Sequence, residues 1–158
     1  MKEILNVYIN LVEEKLNTLN KYKEKLTVIY GFPLKKEYFL ENDIEFEELM
    51  DAIVYKFNKL QSIMGEKIFK LVLEYAGMEA REKSFLEILS LLEKEKILDM
   101  RKWREVRNLR NSFSHIYPNE ADEMTENANL LIENISYLQE VFQKLKQFKE
   151  KTDEAYSK

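Results

Sequence analysis

Apolar residues recur every three or four positions along most of the chain, the spacing that gathers them on one face of a helix. A first series, Leu5, Tyr8, Val12, Leu19, Tyr22, Leu26 and Ile29, predicts a helix that ends before Gly31 and Pro33. A longer series runs from Phe46 through Leu49, Ile53, Phe57, Leu60, Met64, Ile68 and Leu71 to Tyr75, and stops at Gly77. Gly65 lies inside it and marks a kink or a short break, since glycine within a helix costs about 1 kcal/mol relative to alanine. A shorter helix carries Phe85, Ile88, Leu89 and Leu92, with Ser84 as its N-cap. Asp99 is placed to cap a fourth helix, expected to run to about Ile116, where Tyr117-Pro118-Asn119 turns the chain. A last long helix starts at Asn119, with Glu120, Asp122 and Glu123 in its first turn and Leu131, Ile135, Leu138, Phe142 and Leu145 as core positions. The pattern predicts an all-α fold, one domain over residues 1–158, built as a bundle of about five helices in up-down antiparallel packing.

Composition narrows the chemistry. Only 3 glycines and 2 prolines among 158 residues leave too few turns for a sandwich, a barrel or alternating strands and helices, and there is no glycine-rich phosphate loop. At this length a chain buries roughly 70% of its unfolded surface, so a core forms without disulfides or a structural metal. Cysteine is absent and His115 is the only histidine, which removes ordinary zinc sites, iron–sulfur clusters and thiol catalysis; no metal and no other cofactor is expected. The acidic stretch Glu41, Asp43, Glu45, Glu47, Glu48 and Asp51 reads as a solvated helix start, and the lysine-rich end after Lys144 as a frayed, solvated terminus. A formal charge of −4 argues against a general polyanion binder, so any contact with nucleic acid must be local. No run approaches 18 apolar residues, and the N-terminal helix carries charges throughout. A cytoplasmic protein with no membrane contact is expected.

The fourth helix departs from these averages. Four of the five arginines, Arg101, Arg104, Arg107 and Arg110, fall at steps of three, while the chain otherwise uses lysine. Between Arg101 and Tyr117 the charge is +4 in a protein of −4. Arginine suits bidentate contact with phosphate, and a local anion site is implied. On a helical wheel Val106, Leu109, Phe113 and Ile116 face the core, whereas Arg104, Arg107, Arg110, Asn111, Ser114 and His115 gather on the other side, with Tyr117 at its margin. Asn111 is four residues before His115 and is placed to orient the imidazole. Structural readings stand beside this one: a histidine near a helix C-terminus favours the dipole, and an arginine ladder pairs with acidic neighbours. Trp103, one to two turns earlier, reads as a packing or dimer-interface residue.

The segment from Trp103 to Pro118, with Arg110, Asn111, four residues later His115 and then Tyr117, resembles the signature of the HEPN superfamily. More narrowly it is similar to the HepT toxins of HepT–MntA toxin–antitoxin pairs. The resemblance implies a HEPN-like bundle that forms a homodimer, so that two copies of the motif helix face one cleft and make a metal-independent endoribonuclease site. It implies Arg110 and His115 as the catalytic pair, Asn111 and Ser114 as supporting groups and Arg104 and Arg107 as phosphate ligands. Tyr117 would be the position modified with AMP by an MntA-like minimal nucleotidyltransferase antitoxin. RNA, possibly tRNA in such families, is the implied substrate.

These residue types suit the chemistry. Attack by a 2'-hydroxyl on phosphorus needs a base for its proton, an acid for the leaving 5'-oxygen and positive charge for the phosphorane oxygens. His115 moves protons near neutral pH, and Arg110 with Arg107 or Arg104 supplies fixed charge. In a dimer two histidines divide the acid and base roles, or His115 positions the phosphate instead; the sequence leaves both open. Tyr117 stacks on a base, bonds a phosphate or fills the turn before Pro118, and AMP on its hydroxyl would add bulk and negative charge beside Arg110. The alternative is a non-catalytic HEPN partner or substrate-binding subunit of a nucleotidyltransferase.

Overall fold

The computed structural model describes residues 1–110, 113 and 120–158. Every regular element among them is helical: α1 (Lys2–Tyr30), α2 (Lys36–Leu40), α3 (Ile44–Ile63), a π-helical turn (Met64–Ile68), α4 (Phe69–Tyr75), α5 (Phe85–Lys94), α6 (Met100–Leu109), α7 (Ala121–Glu133) and α8 (Ile135–Ser157). The apolar stripes form one core, in which Leu5, Val12, Leu19, Phe57, Leu60, Leu138, Phe142 and Leu145 are all buried. The helix α1 packs along α3 and also reaches α4 and α8. Asn20 pairs with Gln139 and Glu13 with Lys146, so α1 and α8 run antiparallel. None of the described helices is long and apolar enough to cross a membrane.

Gly65 falls in the π turn, where the Phe69 N–H reaches back five residues to the Met64 carbonyl. The turn takes in one extra residue and moves the buried face by one position. Beyond it Phe69, Val72 and Leu73 are buried, while Leu71, expected from the unbroken period, is only partly covered. The expected start signals are present: Ser84 and Glu87 form a reciprocal capping box, and the Asp99 side chain accepts from the Lys102 N–H at 3.2 Å. The Ser84 N–H, then its hydroxyl, hold the Glu87 carboxyl below the usual carboxylate range. Within the acidic stretch Asp43 caps α3 and accepts the Tyr30 hydroxyl at 2.9 Å, beneath a cluster of Tyr30, Tyr38 and Phe46 rings. Burial, then the bond to Asp43, pushes the Tyr30 hydroxyl up to about 12.

Three expectations need correction. The α-helix of the arginine segment ends at Leu109 rather than near Ile116, with Arg110 as its C-cap and the Arg110 N–H bonded to the Arg107 carbonyl. The following Asn111-Ser112-Phe113-Ser114 is poor in helix formers. The last long helix is two segments joined through Asn134, whose Nδ2 donates to the Leu130 carbonyl at 2.8 Å, a side-chain bond that competes with the regular ladder. The C-terminal end is not frayed: α8 continues to Ser157 and is tied down. Lys146 pairs with Glu13 at 2.8 Å, and Tyr75 donates to Asp153 at 2.5 Å. Lys149 pairs with Asp153 at 2.8 Å, and Tyr156 donates to the Tyr75 carbonyl. The lysines near this end are partners of buried-side acids, which composition does not reveal.

Candidate functional site

The arginine segment is held from beneath. Trp103 is 1% exposed and Val106 2%, one helical turn apart, and they anchor α6 in the core. The Trp103 ring packs against Phe69 at 4.7 Å and Tyr137 at 6.4 Å between centroids. Trp103 is therefore a packing residue within its own chain. The Tyr137 hydroxyl, pushed up to about 12 chiefly by burial, stays neutral and donates to the Asp99 carbonyl at 3.3 Å. Glu93 accepts the Met100 N–H at 2.8 Å. With its buried face and N-terminus fixed, α6 turns its arginines outward.

The four arginines do not act as one set. Arg101 pairs with Glu105 at 3.3 Å, both well exposed, a contact of little energetic weight. Both line a groove of about 610 Å³ between α6 and α7. Arg104 is exposed and belongs to neither groove of α6. Arg107 and Arg110 turn to the opposite side, where the Arg107 guanidinium lies 4.5 Å from the centre of the Phe85 ring. Arg110 donates from Nη1 to the Ser62 hydroxyl at 2.8 Å. Neither contact neutralises a charge.

Arg107 and Arg110 face a cleft of about 280 Å³ between the π turn and α6. Ser62, Gly65, Glu66 and Lys70 form its far side, so three cations meet one carboxylate in a protein of net charge −4. Phe85 and Trp103 give it aromatic walls, and Gln61 lies at its inner edge, 3% exposed. A shallow cationic cleft with aromatic walls can hold a phosphate and the flat ring beside it.

Of the residues predicted from the sequence, Arg107 and Arg110 are brought together and Arg104 is not. Asn111, Ser114, His115 and Tyr117 lie outside the described residues. Sequence reasoning missed Gln61, Ser62, Lys70 and Phe85, which come from three other segments. Two signals pointed to them: Gly65 within the strongest helical pattern, and Gln61 at a core position, four residues after Phe57 and three before Met64. Comparisons of the chain with protein-family models, characterised proteins and solved structures give no match.

Proposed function

We propose that this chain is a metal-independent endoribonuclease of the HEPN type, acting as the toxin of a toxin–antitoxin pair. The observation that carries the reading is the cationic cleft at the end of α6, where Arg107 and Arg110 sit over a fixed base of Trp103 and Val106 with no acid paired to either. Arg110 stands where the described part of α6 gives way to the motif segment. It would neutralise the phosphorane oxygens, and Arg107 would hold a neighbouring phosphate.

In this reading the 2'-oxygen attacks phosphorus, the bond to the 5'-oxygen breaks, and a cyclic phosphate and a 5'-hydroxyl result. His115 handles the protons, with Asn111 and Ser114 in support. A homodimer brings two such histidines to one cleft and lets them divide the acid and base roles. An MntA-like nucleotidyltransferase silences the site by placing AMP on Tyr117, whose added negative charge competes for Arg110.

The test is cleavage of total tRNA and of a mixed-sequence RNA in EDTA by purified full-length protein, shown by mass spectrometry to carry no AMP. Cleavage that Arg110→Ala and His115→Ala both abolish without loss of helicity is the expected result. No cleavage, or cleavage that survives both changes, overturns the reading and leaves the non-catalytic nucleotidyltransferase partner in its place.

A further inference from the structure

The Arg107–Arg110 cleft holds a group that phosphate binding does not use. Gln61 lines it and is 3% exposed, and neither its Oε1 nor its Nε2 has a hydrogen-bond partner. An apolar side chain of similar volume would fill the same place without two unmet polar atoms. The amide lies one turn before the π turn, a local distortion that often marks a ligand site. Gly65 leaves the wall thin here, since a Cβ on it would stand 3.7 Å from both Phe85 and Trp103 side-chain atoms. Rotation of the Gln61 side chain into that space brings its donor and acceptor to the cleft.

We infer that the cleft is a nucleotide subsite that reads adenine through Gln61. A side-chain amide offers one donor and one acceptor side by side, the complement of adenine N7 and N6–H; guanine presents two acceptors on the same edge and does not match. Phe85 and Trp103 flank the ring, and Lys70, Arg107 and Arg110 take the attached phosphate. The space of about 280 Å³ suits one nucleotide and excludes a duplex. The inference rests on the ribonuclease reading in one respect, that the adenosine belongs to an RNA strand rather than to a free nucleotide.

Trp103 is the only tryptophan in the chain, so its emission reports occupancy of the cleft directly. The full-length protein is titrated with 2'-O-methyl oligouridylate, with the same strand carrying one adenosine, and with AMP, GMP and UMP. These strands cannot be cut, so failure of the nuclease reading leaves the binding result intact. The expected result is about tenfold tighter binding of the strand with adenosine, the discrimination of one good bidentate pair. Gln61→Leu should abolish that preference while leaving affinity for the all-uridine strand unchanged. A preference for AMP over GMP and UMP without any binding of the strands would keep the adenine site and assign it to a free nucleotide. Equal affinities for the two strands and for the three mononucleotides in the wild type overturn the inference, as does a preference that persists in Gln61→Leu. The wild-type comparison decides the matter even if the variant does not fold.

Discussion

Asp153 receives the Tyr75 hydroxyl and stands within ion-pair distance of both Lys149 and Lys2, so the charges where α8 meets the ends of α4 and α1 cancel locally. Arg107 and Arg110 instead meet a ring and a neutral hydroxyl, and the cleft they share keeps a surplus of positive charge. The first arrangement closes helix ends onto one another and is complete as it stands. The second is held rigidly from below and lacks its counter-charge, which is the condition for binding an anion. Buried side-chain polar atoms without partners follow the same division: among the described residues they belong to Asn58 and Gln61, in the two turns before the π turn.

The strongest way to break the comparison is to remove the support that the arginine cleft stands on. Trp103→Ala should destabilise the fold by about 3–5 kcal/mol, read from denaturant unfolding, because it empties a large buried volume beneath α6. Next in size, Arg110→Ala should slow RNA cleavage on the order of 10²–10³-fold, as loss of a group that stabilises developing charge does. The same change should leave the unfolding free energy within about 0.5 kcal/mol, as expected for an exposed position. A cleft arginine whose removal chiefly unfolds the protein would erase the distinction between the two clusters.

The Asp153 cluster makes the opposite prediction, and pH sharpens it. Its carboxyl is held below the usual range by Lys149 first and Tyr75 second. The unfolded chain therefore binds more protons as pH falls, and this contribution is present above the ordinary aspartate range and lost as pH drops through the depressed folded value. Tyr75 is pushed up to about 12, chiefly by its bond to Asp153, against 10.0 for a free tyrosine. Its contribution is whole below pH 10, declines as the unfolded tyrosine ionises, and is gone once pH passes the folded value. Asp153→Asn and Tyr75→Phe should flatten the acid and alkaline limbs respectively of a stability–pH curve, with RNA cleavage at neutral pH unchanged. The smallest effect expected is that of Arg104→Ala, a less than about threefold loss of RNA affinity, consistent with one screened phosphate contact outside the cleft.

Much of the fold was legible in the spacing of apolar residues, because a helix turns a periodic stripe into a buried face wherever its period is undisturbed. The stripe of α1 and the caps at Ser84 and Asp99 are local signals and appear where expected. The π turn was visible only as Gly65; its consequence, the shift of burial from Leu71 to Val72, depends on a backbone bond that no side-chain pattern encodes. The ordered end of α8 was missed because its lysines resemble solvated ones until Glu13, Asp153 and Tyr75 are brought beside them. Within the candidate site, the clustered arginines were plain from composition, but their division was not. Arg101 and Arg107 part because Glu105 lies on one side of α6 and Phe85 on the other, and that placement belongs to the tertiary structure. His115, Asn111, Ser114 and Tyr117 rest on the motif.

The most direct measurement is the single-turnover cleavage rate of one RNA in EDTA at fixed ionic strength, for the wild type, Arg110→Ala, His115→Ala and Asp153→Asn, with products analysed for 2',3'-cyclic phosphate ends. Cyclic ends in the wild type, a fall of at least about 100-fold in the first two variants and an unchanged rate in Asp153→Asn are the predicted result. Cleavage that survives the loss of Arg110 and His115, or that is lost equally with Asp153, would contradict it.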